Sequence, residues 1–113
     1  MHELSVTEEL LKLTLKHAEK AGARRVLKVS LVIGELTGFM EESIRFYFDI
    51  LAEETIAHKA LLAVSRVPAR ARCGKCRTEF TPKQTDWLCP ACGGLIEEIV
   101  SGREFLVESI EIE

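Results

Sequence analysis

The sequence predicts an α+β protein in which two helices pack on a small three-stranded sheet, with a cysteine-containing subdomain inserted before the last strand. Two observations support this fold class. Apolar residues recur with helical spacing in two segments and with strand spacing in three others. All four cysteines fall within 20 consecutive positions, between the last two predicted strands.

The first element is a helix predicted over residues 6–21. Ser5 and Glu8 have the spacing of a capping box, and Gly22 follows as the C-terminal stop. Helical spacing gives the segment an apolar stripe, on which His17 is expected as a core or boundary histidine. The other members of the stripe are Val6, Leu10, Leu11, Leu13, Leu15 and Ala18.

A strand is predicted over residues 26–33, because apolar residues occupy every second position. These residues are Leu27, Val29, Leu31 and Ile33. A turn at residues 34–38 leads to a second helix over residues 41–55, in which Glu41 and Glu42 suit the positive end of the helix dipole. Its apolar face consists of Ile44, Tyr47, Phe48 and Leu51.

Two more strands are predicted, over residues 61–67 and 104–112. In the last one the alternation is broken, with two apolar residues on each face: Phe105 and Val107, then Ile110 and Ile112. We interpret these two strands as a hairpin interrupted by the cysteine segment.

Composition and motifs exclude several classes of protein. The chain has 113 residues and a formal charge of −3, which argues against a surface devoted wholly to nucleic acid or membrane. No apolar run approaches the about 20 residues of a membrane span, and no secretory signal is visible, so we expect a cytoplasmic protein. Phosphate-loop, dinucleotide and nucleophile-elbow motifs are absent, which indicates a protein that is not an enzyme.

The cysteines form two C-x2-C pairs, Cys73 with Cys76 and Cys89 with Cys92, separated by twelve residues. In a cytosolic chain this spacing is typical of a tetrathiolate zinc site, in which each sulfur lies about 2.3 Å from the ion. Four thiolates leave no open coordination position, so the zinc is expected to be structural. Two disulfides or a redox C-x-x-C pair are the alternatives.

Glycines lie beside both cysteine pairs. We expect Gly74 and Gly93 to provide positive φ or close backbone approach to the sulfurs. The predicted zinc ribbon covers residues 69–101. Residues 1–68 and 102–113 are then left to form the α/β domain.

Cations are concentrated around the first cysteine pair. Between residues 66 and 83 the only acid is Glu79, and the cations are Arg66, Arg70, Arg72, Lys75, Arg77 and Lys83. These cations can offset the −2 charge of a zinc ion with four thiolates. The alternative is a zinc-ribbon module that binds nucleic acid or acts as a protein adaptor, although no platform of aromatic residues accompanies the cations.

The amino terminus has the donors for a second metal site. His2 lies beside the α-amino group of Met1, so the amine, the intervening backbone nitrogen and the imidazole can chelate one ion. Glu3 adds another backbone nitrogen and a carboxylate. Such nitrogen-rich coordination suits Ni(II) or Cu(II).

Three segments together resemble the hydrogenase nickel-incorporation protein HypA and its close relatives over essentially the whole chain. They are Met1-His2-Glu3-Leu4-Ser5, Val32-Ile33-Gly34-Glu35-Leu36-Thr37-Gly38, and the paired cysteines ending in Cys89-Pro90-Ala91-Cys92-Gly93. The resemblance implies a metallochaperone that binds Ni(II) through Met1, His2 and Glu3. It also implies a structural Zn(II) on Cys73, Cys76, Cys89 and Cys92.

The resemblance further implies two partners, the GTPase HypB and the precursor of the [NiFe]-hydrogenase large subunit. It implies delivery of nickel during hydrogenase maturation, and relatives in some organisms also serve urease. A homodimer is compatible with it. The chain departs from the family pattern where the second helix begins, because Met40-Glu41-Glu42 stands where a proline is common. Whether Glu41 or Glu42 lies near the nickel is left open.

Overall fold

The computed structural model describes residues 3–82 and 87–113. Its helices are α1 (Glu3–Lys20) and α2 (Glu41–Leu51), and a short 3-10 turn spans Glu35–Thr37. The strands are β1 (Val26–Gly34), β2 (Leu61–Val67), β3 (Arg70–Cys73), β4 (Glu79–Phe80), β5 (Ile96–Ser101) and β6 (Phe105–Ile112). Among the described helices, none has the length and hydropathy to cross a membrane.

The predicted α+β class is confirmed, and the first of two three-stranded sheets has the order β2-β1-β6. The predicted hairpin between the strands before and after the cysteine segment is wrong, because β1 lies between them. β1 is the most buried strand, with Val29, Leu31 and Ile33 at most 1% exposed. The most buried strand therefore takes the centre, and the half-exposed strands take the edges.

The start of β1 departs from the predicted alternation. Leu27, expected on the core face, is 38% exposed, and Val26 is buried in its place. From Val29 to Ile33 the alternation holds as predicted.

Helix α1 begins at Glu3, three residues before the predicted start, so Ser5 lies inside the helix and the capping-box prediction is wrong. The buried stripe contains Thr7 and Thr14, which sequence reasoning had not placed in the core. Each threonine satisfies its hydroxyl by donating to the carbonyl four residues earlier, at 2.5 and 2.8 Å. His17, which was predicted to be a core or boundary histidine, is exposed.

Helix α2 begins at Glu41, as predicted, but ends at Leu51 rather than at residue 55. Ile44 and Phe48 are buried, at 0% and 1% exposure. The capping residue Ala52 donates its N–H back to the Phe48 carbonyl at 2.9 Å, and turns then carry the chain toward β2.

The second sheet lies in the cysteine segment and has the order β4-β3-β5, with β3 antiparallel to both neighbours. Its small core contains Ala71, Cys73, Phe80 and Cys89, with Ile96 and Ile99 packed against it. Backbone proximity divides the chain into two compact units. The first contains Met1–Val32, Gly38–Ser65 and Phe105–Glu113, and the second contains Ile33–Thr37 and Arg66–Glu104.

Candidate metal centres

The four cysteine side chains meet at one point of the second unit. All four sulfur atoms lie within 4.8 Å of one another. The Sγ atoms of Cys73 and Cys92 are 3.5 Å apart, and those of Cys76 and Cys89 are 3.6 Å apart. Both distances exceed the roughly 2.05 Å of a disulfide bond. They are close to the about 3.8 Å expected between sulfurs placed tetrahedrally around one ion with 2.3 Å bonds.

Each cysteine pair is held by the same pattern of backbone hydrogen bonds. The N–H two residues after the first cysteine points at its sulfur, from Lys75 to Cys73 at 3.3 Å and from Ala91 to Cys89 at 3.4 Å. The N–H four residues after the first cysteine donates to its carbonyl, at 3.2 Å in the first pair and 2.8 Å in the second. Two equivalent turns therefore present two sulfurs each from opposite sides of the cluster.

The residue that follows each pair has a left-handed backbone. Gly93 has a φ of +74°, as predicted for a glycine beside the second pair. In the first pair the corresponding residue is Arg77, with a φ of 65°, and Gly74 is not among the residues with positive φ. The expectation of positive φ or close approach to the sulfurs is therefore wrong for Gly74, where an added Cβ atom would meet Glu97 and Leu95 instead.

Gly94 lies directly beside two of the sulfurs. A Cβ atom on Gly94 would lie 3.0 Å from Cys73 Sγ and 3.3 Å from Cys92 Sγ. A side chain at residue 94 would therefore crowd two sulfurs and require them to shift by a few tenths of an ångström. Sequence reasoning missed this residue, although the Gly93-Gly94 pair directly after the last cysteine was a visible signal.

The thiol pKa values show that the cluster resists full ionisation. A backbone hydrogen bond from Cys76 lowers the pKa of Cys73. A hydrogen bond with the Thr78 hydroxyl lowers the pKa of Cys76 to about 6. The N–H of Gly94 also favours a thiolate at Cys92, but the neighbouring cysteine side chains outweigh it and raise the pKa of Cys92 to about 11. A bound cation would offset the repulsion among four thiolates and allow all of them to ionise.

Most of the described cations near this cluster are paired with acids. Two of these acids, Glu97 and Glu98, belong to β5. They lie outside residues 66–83, in which Glu79 is the only acid. The pairs are Arg70 with Glu79, Arg72 with Glu79 and Glu98, and Arg77 with Glu97. The basic stretch of the sequence is therefore largely neutralised by side chains across the second sheet. Lys83 lies outside the described residues.

The predicted nickel residues lie at the start of α1. Met1 and His2 are outside the described residues, and Glu3 is the first residue of the helix. Glu3 Oε2 accepts a hydrogen bond from the backbone N–H of Met40 at 3.0 Å. Met40 is the N-cap of α2 and makes no side-chain cap of its own. The first N–H groups of a helix have no acceptor within the helix, and the Glu3 carboxylate supplies one at the start of α2.

The acids at the start of α2 have separate environments. Glu41 Oε2 accepts from Arg45 Nε at 3.0 Å and from its terminal nitrogen at 2.9 Å. Arg45 also donates to the Leu62 carbonyl at 2.6 Å. Glu42 is exposed. The carboxylate of Glu41 is therefore bonded to Arg45, whereas the carboxylate of Glu3 accepts a hydrogen bond from the N-cap residue of α2.

Comparisons with known proteins place the chain in one family. The family model described as "Hydrogenase/urease nickel incorporation, metallochaperone, hypA" matches residues 1–112. Hydrogenase maturation factor HypA of Dehalococcoides mccartyi is 48% identical over 113 residues, which are all of this chain and 95% of the relative. The factor of the same name from Caldanaerobacter subterraneus subsp. tengcongensis is 47% identical, with both chains covered completely.

Solved structures agree with the sequence comparisons. The chain is similar to the solution structure of the Ni metallochaperone HypA from Helicobacter pylori, with a TM-score of 0.68, 28% identity, and coverage of 99% of this chain and 97% of the other. A second solution structure, of HypA protein, gives a TM-score of 0.73 at 28% identity, covering 100% and 97%. The predicted resemblance is confirmed: the chain belongs to the HypA family of hydrogenase and urease nickel-incorporation metallochaperones.

Proposed function

We propose that this protein binds Ni(II) at its amino terminus and delivers it during maturation of [NiFe]-hydrogenase, while its four cysteines hold a structural Zn(II). The observation that carries the proposal is the match of the nickel-incorporation family to residues 1–112, in a chain that opens with Met1-His2-Glu3. We further propose that it acts in the cytoplasm, with the HypB GTPase and the hydrogenase large-subunit precursor as partners.

The nickel site would use the Met1 amine, the backbone nitrogen and imidazole of His2, and the backbone nitrogen of Glu3. Glu3 is the first residue of α1, so its backbone nitrogen lies at the amino-terminal end of the helix. Nitrogen donors in this arrangement favour the tetragonal geometry of Ni(II). The Glu3 carboxylate, bonded to the Met40 N–H, would hold the site beside α2.

The cysteine cluster fits a closed zinc site. Four thiolates are the donor set of structural zinc, and their spacing suits a tetrahedral ion. A filled tetrahedron leaves no position for substrate or water, so this metal would stabilise the second unit rather than serve as cargo. The two proposed metals therefore have different roles, since one is retained and the other is transferred.

Nickel titration of the untagged, zinc-loaded protein tests the proposal. We expect one Ni(II) per chain, and we expect His2→Ala to abolish this binding while zinc content and circular dichroism stay unchanged. Acetylation of the amino terminus is expected to have the same effect, because it removes the amine donor.

The chain offers matched controls. His17 and His58 are exposed and do not belong to the proposed Met1-His2-Glu3 site, so His17→Ala and His58→Ala are expected to bind nickel as the unchanged protein does. Retention of nickel by His2→Ala or by acetylated protein would contradict the proposed site. Delivery is tested separately, by restoring hydrogenase activity in cells that lack their own HypA, where the His2→Ala variant is expected to fail.

A nucleic-acid role is less well supported than metal delivery. Arg70, Arg72 and Arg77, which the alternative requires as phosphate contacts, pair with acids of their own sheet. Binding of phosphates would have to compete with these ion pairs. We therefore expect little DNA or RNA binding at physiological salt.

A further inference from the structure

Helix α2 carries two large apolar side chains on its outer face. Phe46 is 60% exposed and Ile50 is 53% exposed, and their four-residue spacing makes them neighbours on the helix surface. Helical geometry places them on the side opposite to the buried Ile44 and Phe48. The Phe46 ring packs edge-to-face on Tyr47 with centroids 5.5 Å apart, which orients it before any partner binds.

The same face is acidic. Glu42 and Asp49 lie four residues before and three residues after Phe46, so they share its side of the helix. Glu53 follows in the turn after α2, where its backbone N–H donates to the Ile50 carbonyl at 3.4 Å. All three acids are exposed. None of them takes part in an ion pair with the residues described between 3–82 and 87–113. Arg45, the cation within α2, is held by Glu41 and the Leu62 carbonyl. The apolar pair is thus bordered by negative charge that α2 itself does not neutralise.

We propose that this face, formed by Glu42, Phe46, Asp49 and Ile50 of α2 together with Glu53 of the following turn, is a docking surface for a basic amphipathic helix of a partner protein. An apolar stripe on that helix would cover Phe46 and Ile50, and flanking Lys or Arg side chains would meet the three acids. The inference is independent of nickel binding, because none of these residues belongs to either proposed metal site.

Charge complementarity favours a basic helix over two other possible partners, a second copy of the chain and a membrane surface. A second copy of the chain, paired through the same face, would bring acids against acids. A membrane surface with anionic lipids would repel the face for the same reason. A basic amphipathic helix can cover Phe46 and Ile50 and can also form ion pairs with the acids around them.

A synthetic 18-residue peptide of Leu and Lys, with Leu at positions i, i+3, i+4 and i+7, is a suitable probe. Fluorescence anisotropy with the full-length, zinc-loaded protein is expected to show saturable binding that weakens as salt is raised. Phe46→Ala is expected to weaken binding about tenfold or more, as is the double reversal Asp49→Lys with Glu53→Lys. These positions are exposed, so the variants are expected to keep the circular dichroism of the unchanged protein.

Helix α1 provides matched controls. Leu13 is 45% exposed, and Glu8 and Glu9 are exposed acids of that helix. Leu13→Ala and the double reversal Glu8→Lys with Glu9→Lys make equivalent changes in apolar area and charge, and are expected to change binding by less than about twofold. Equal losses in the α1 and α2 variants would overturn the proposal. It would equally be overturned by self-association, or by binding to phosphatidylserine vesicles, that is lost in Phe46→Ala.

Discussion

Arg77 and Gly93 occupy equivalent positions in the two cysteine turns, yet only one of them is glycine. Both have a left-handed φ, 65° at Arg77 and 74° at Gly93. A side chain in this conformation brings Cβ close to the following carbonyl, which costs about 1 kcal/mol. Arg77 therefore carries a backbone penalty that its counterpart avoids, and its ion pair with Glu97 is a partly exposed one.

Replacement of Arg77 separates these two effects. We expect Arg77→Gly to be about 0.5–1 kcal/mol more stable than Arg77→Ala, since both remove the ion pair but only glycine relieves the φ strain. Chemical unfolding monitored at Trp87 measures the difference. Equal stability of the two variants would mean that the left-handed backbone at residue 77 is not strained.

Gly94 is predicted to be the most sensitive glycine of the cysteine segment. Gly94→Ala would place a methyl group 3.0 Å from Cys73 Sγ, so we expect zinc affinity to fall at least about tenfold. Gly74→Ala is the matched control, because its added carbon would meet Glu97 Cβ at an ordinary 3.4 Å. Competition with a chromogenic chelator measures both, and similar affinities for the two variants would contradict the predicted crowding at residue 94.

Nickel binding at the amino terminus should depend on pH. The imidazole of His2 has an ordinary pKa of about 6.5 and the amine one of about 7.7–8.0, and both must lose their protons to coordinate the metal. We therefore expect affinity to fall as pH decreases below 8 and to fall more steeply below about 6.5. Calorimetry at pH 8.0, 7.0 and 6.0 tests this dependence. A constant affinity across that range would exclude amine and imidazole as ligands.

Among the elements, α2 and β1 were well predicted because one local pattern dominates each of them. Ile44 and Phe48 define the buried side of α2, and Val29 to Ile33 define that of β1. The course of α1 was less predictable, since Thr7 and Thr14 are buried through hydrogen bonds to their own helix. Apolar periodicity counts such residues as polar and assigns Leu13 and His17 to the core instead.

The strands of the cysteine segment could not be derived from periodicity at all. β4 has two residues and β3 has four, which is too short for an alternating pattern to be recognised. The cysteine spacing predicted that the sulfurs would meet but not which acids would face Arg72 and Arg77. Both acids belong to β5, and Glu98 follows Arg72 by 26 residues. The Arg72–Glu98 pair becomes visible only once β3 is seen to pair with β5.

The metal is expected to hold the second sheet together as one element. Its apolar core is small, so we expect Cys73→Ala, or chelation of zinc, to unfold β3, β4 and β5 while α1, α2 and β1 keep their structure. Amide NMR spectra with and without chelator would show loss of dispersion confined to residues of the cysteine segment. Retention of those signals would indicate that the sheet is stable without its metal.

At the scale of the whole molecule, charge is distributed in a way that net charge conceals. The formal value is −3, yet residues 66–83 carry six cations and one acid, and the outer face of α2 is acidic. The cations are largely paired within their own sheet, whereas the acids of α2 border an apolar pair. The sequence left a nucleic-acid surface at the basic stretch as an alternative, whereas the contact surface that we propose lies on α2.

The strand order has a consequence for the assembly of the chain during synthesis. β6 pairs beside β1 but follows the entire cysteine segment in sequence. Before the cysteine segment folds, it is a flexible loop whose two ends must come together before β6 can pair with β1. Closing this loop costs chain entropy, which slows the pairing. Ion capture by the thiolates would shorten the loop and speed the last step. A newly made chain without a bound ion would then dock its final strand more slowly, and the edge of β1 would stay open to pairing with other polypeptides for longer.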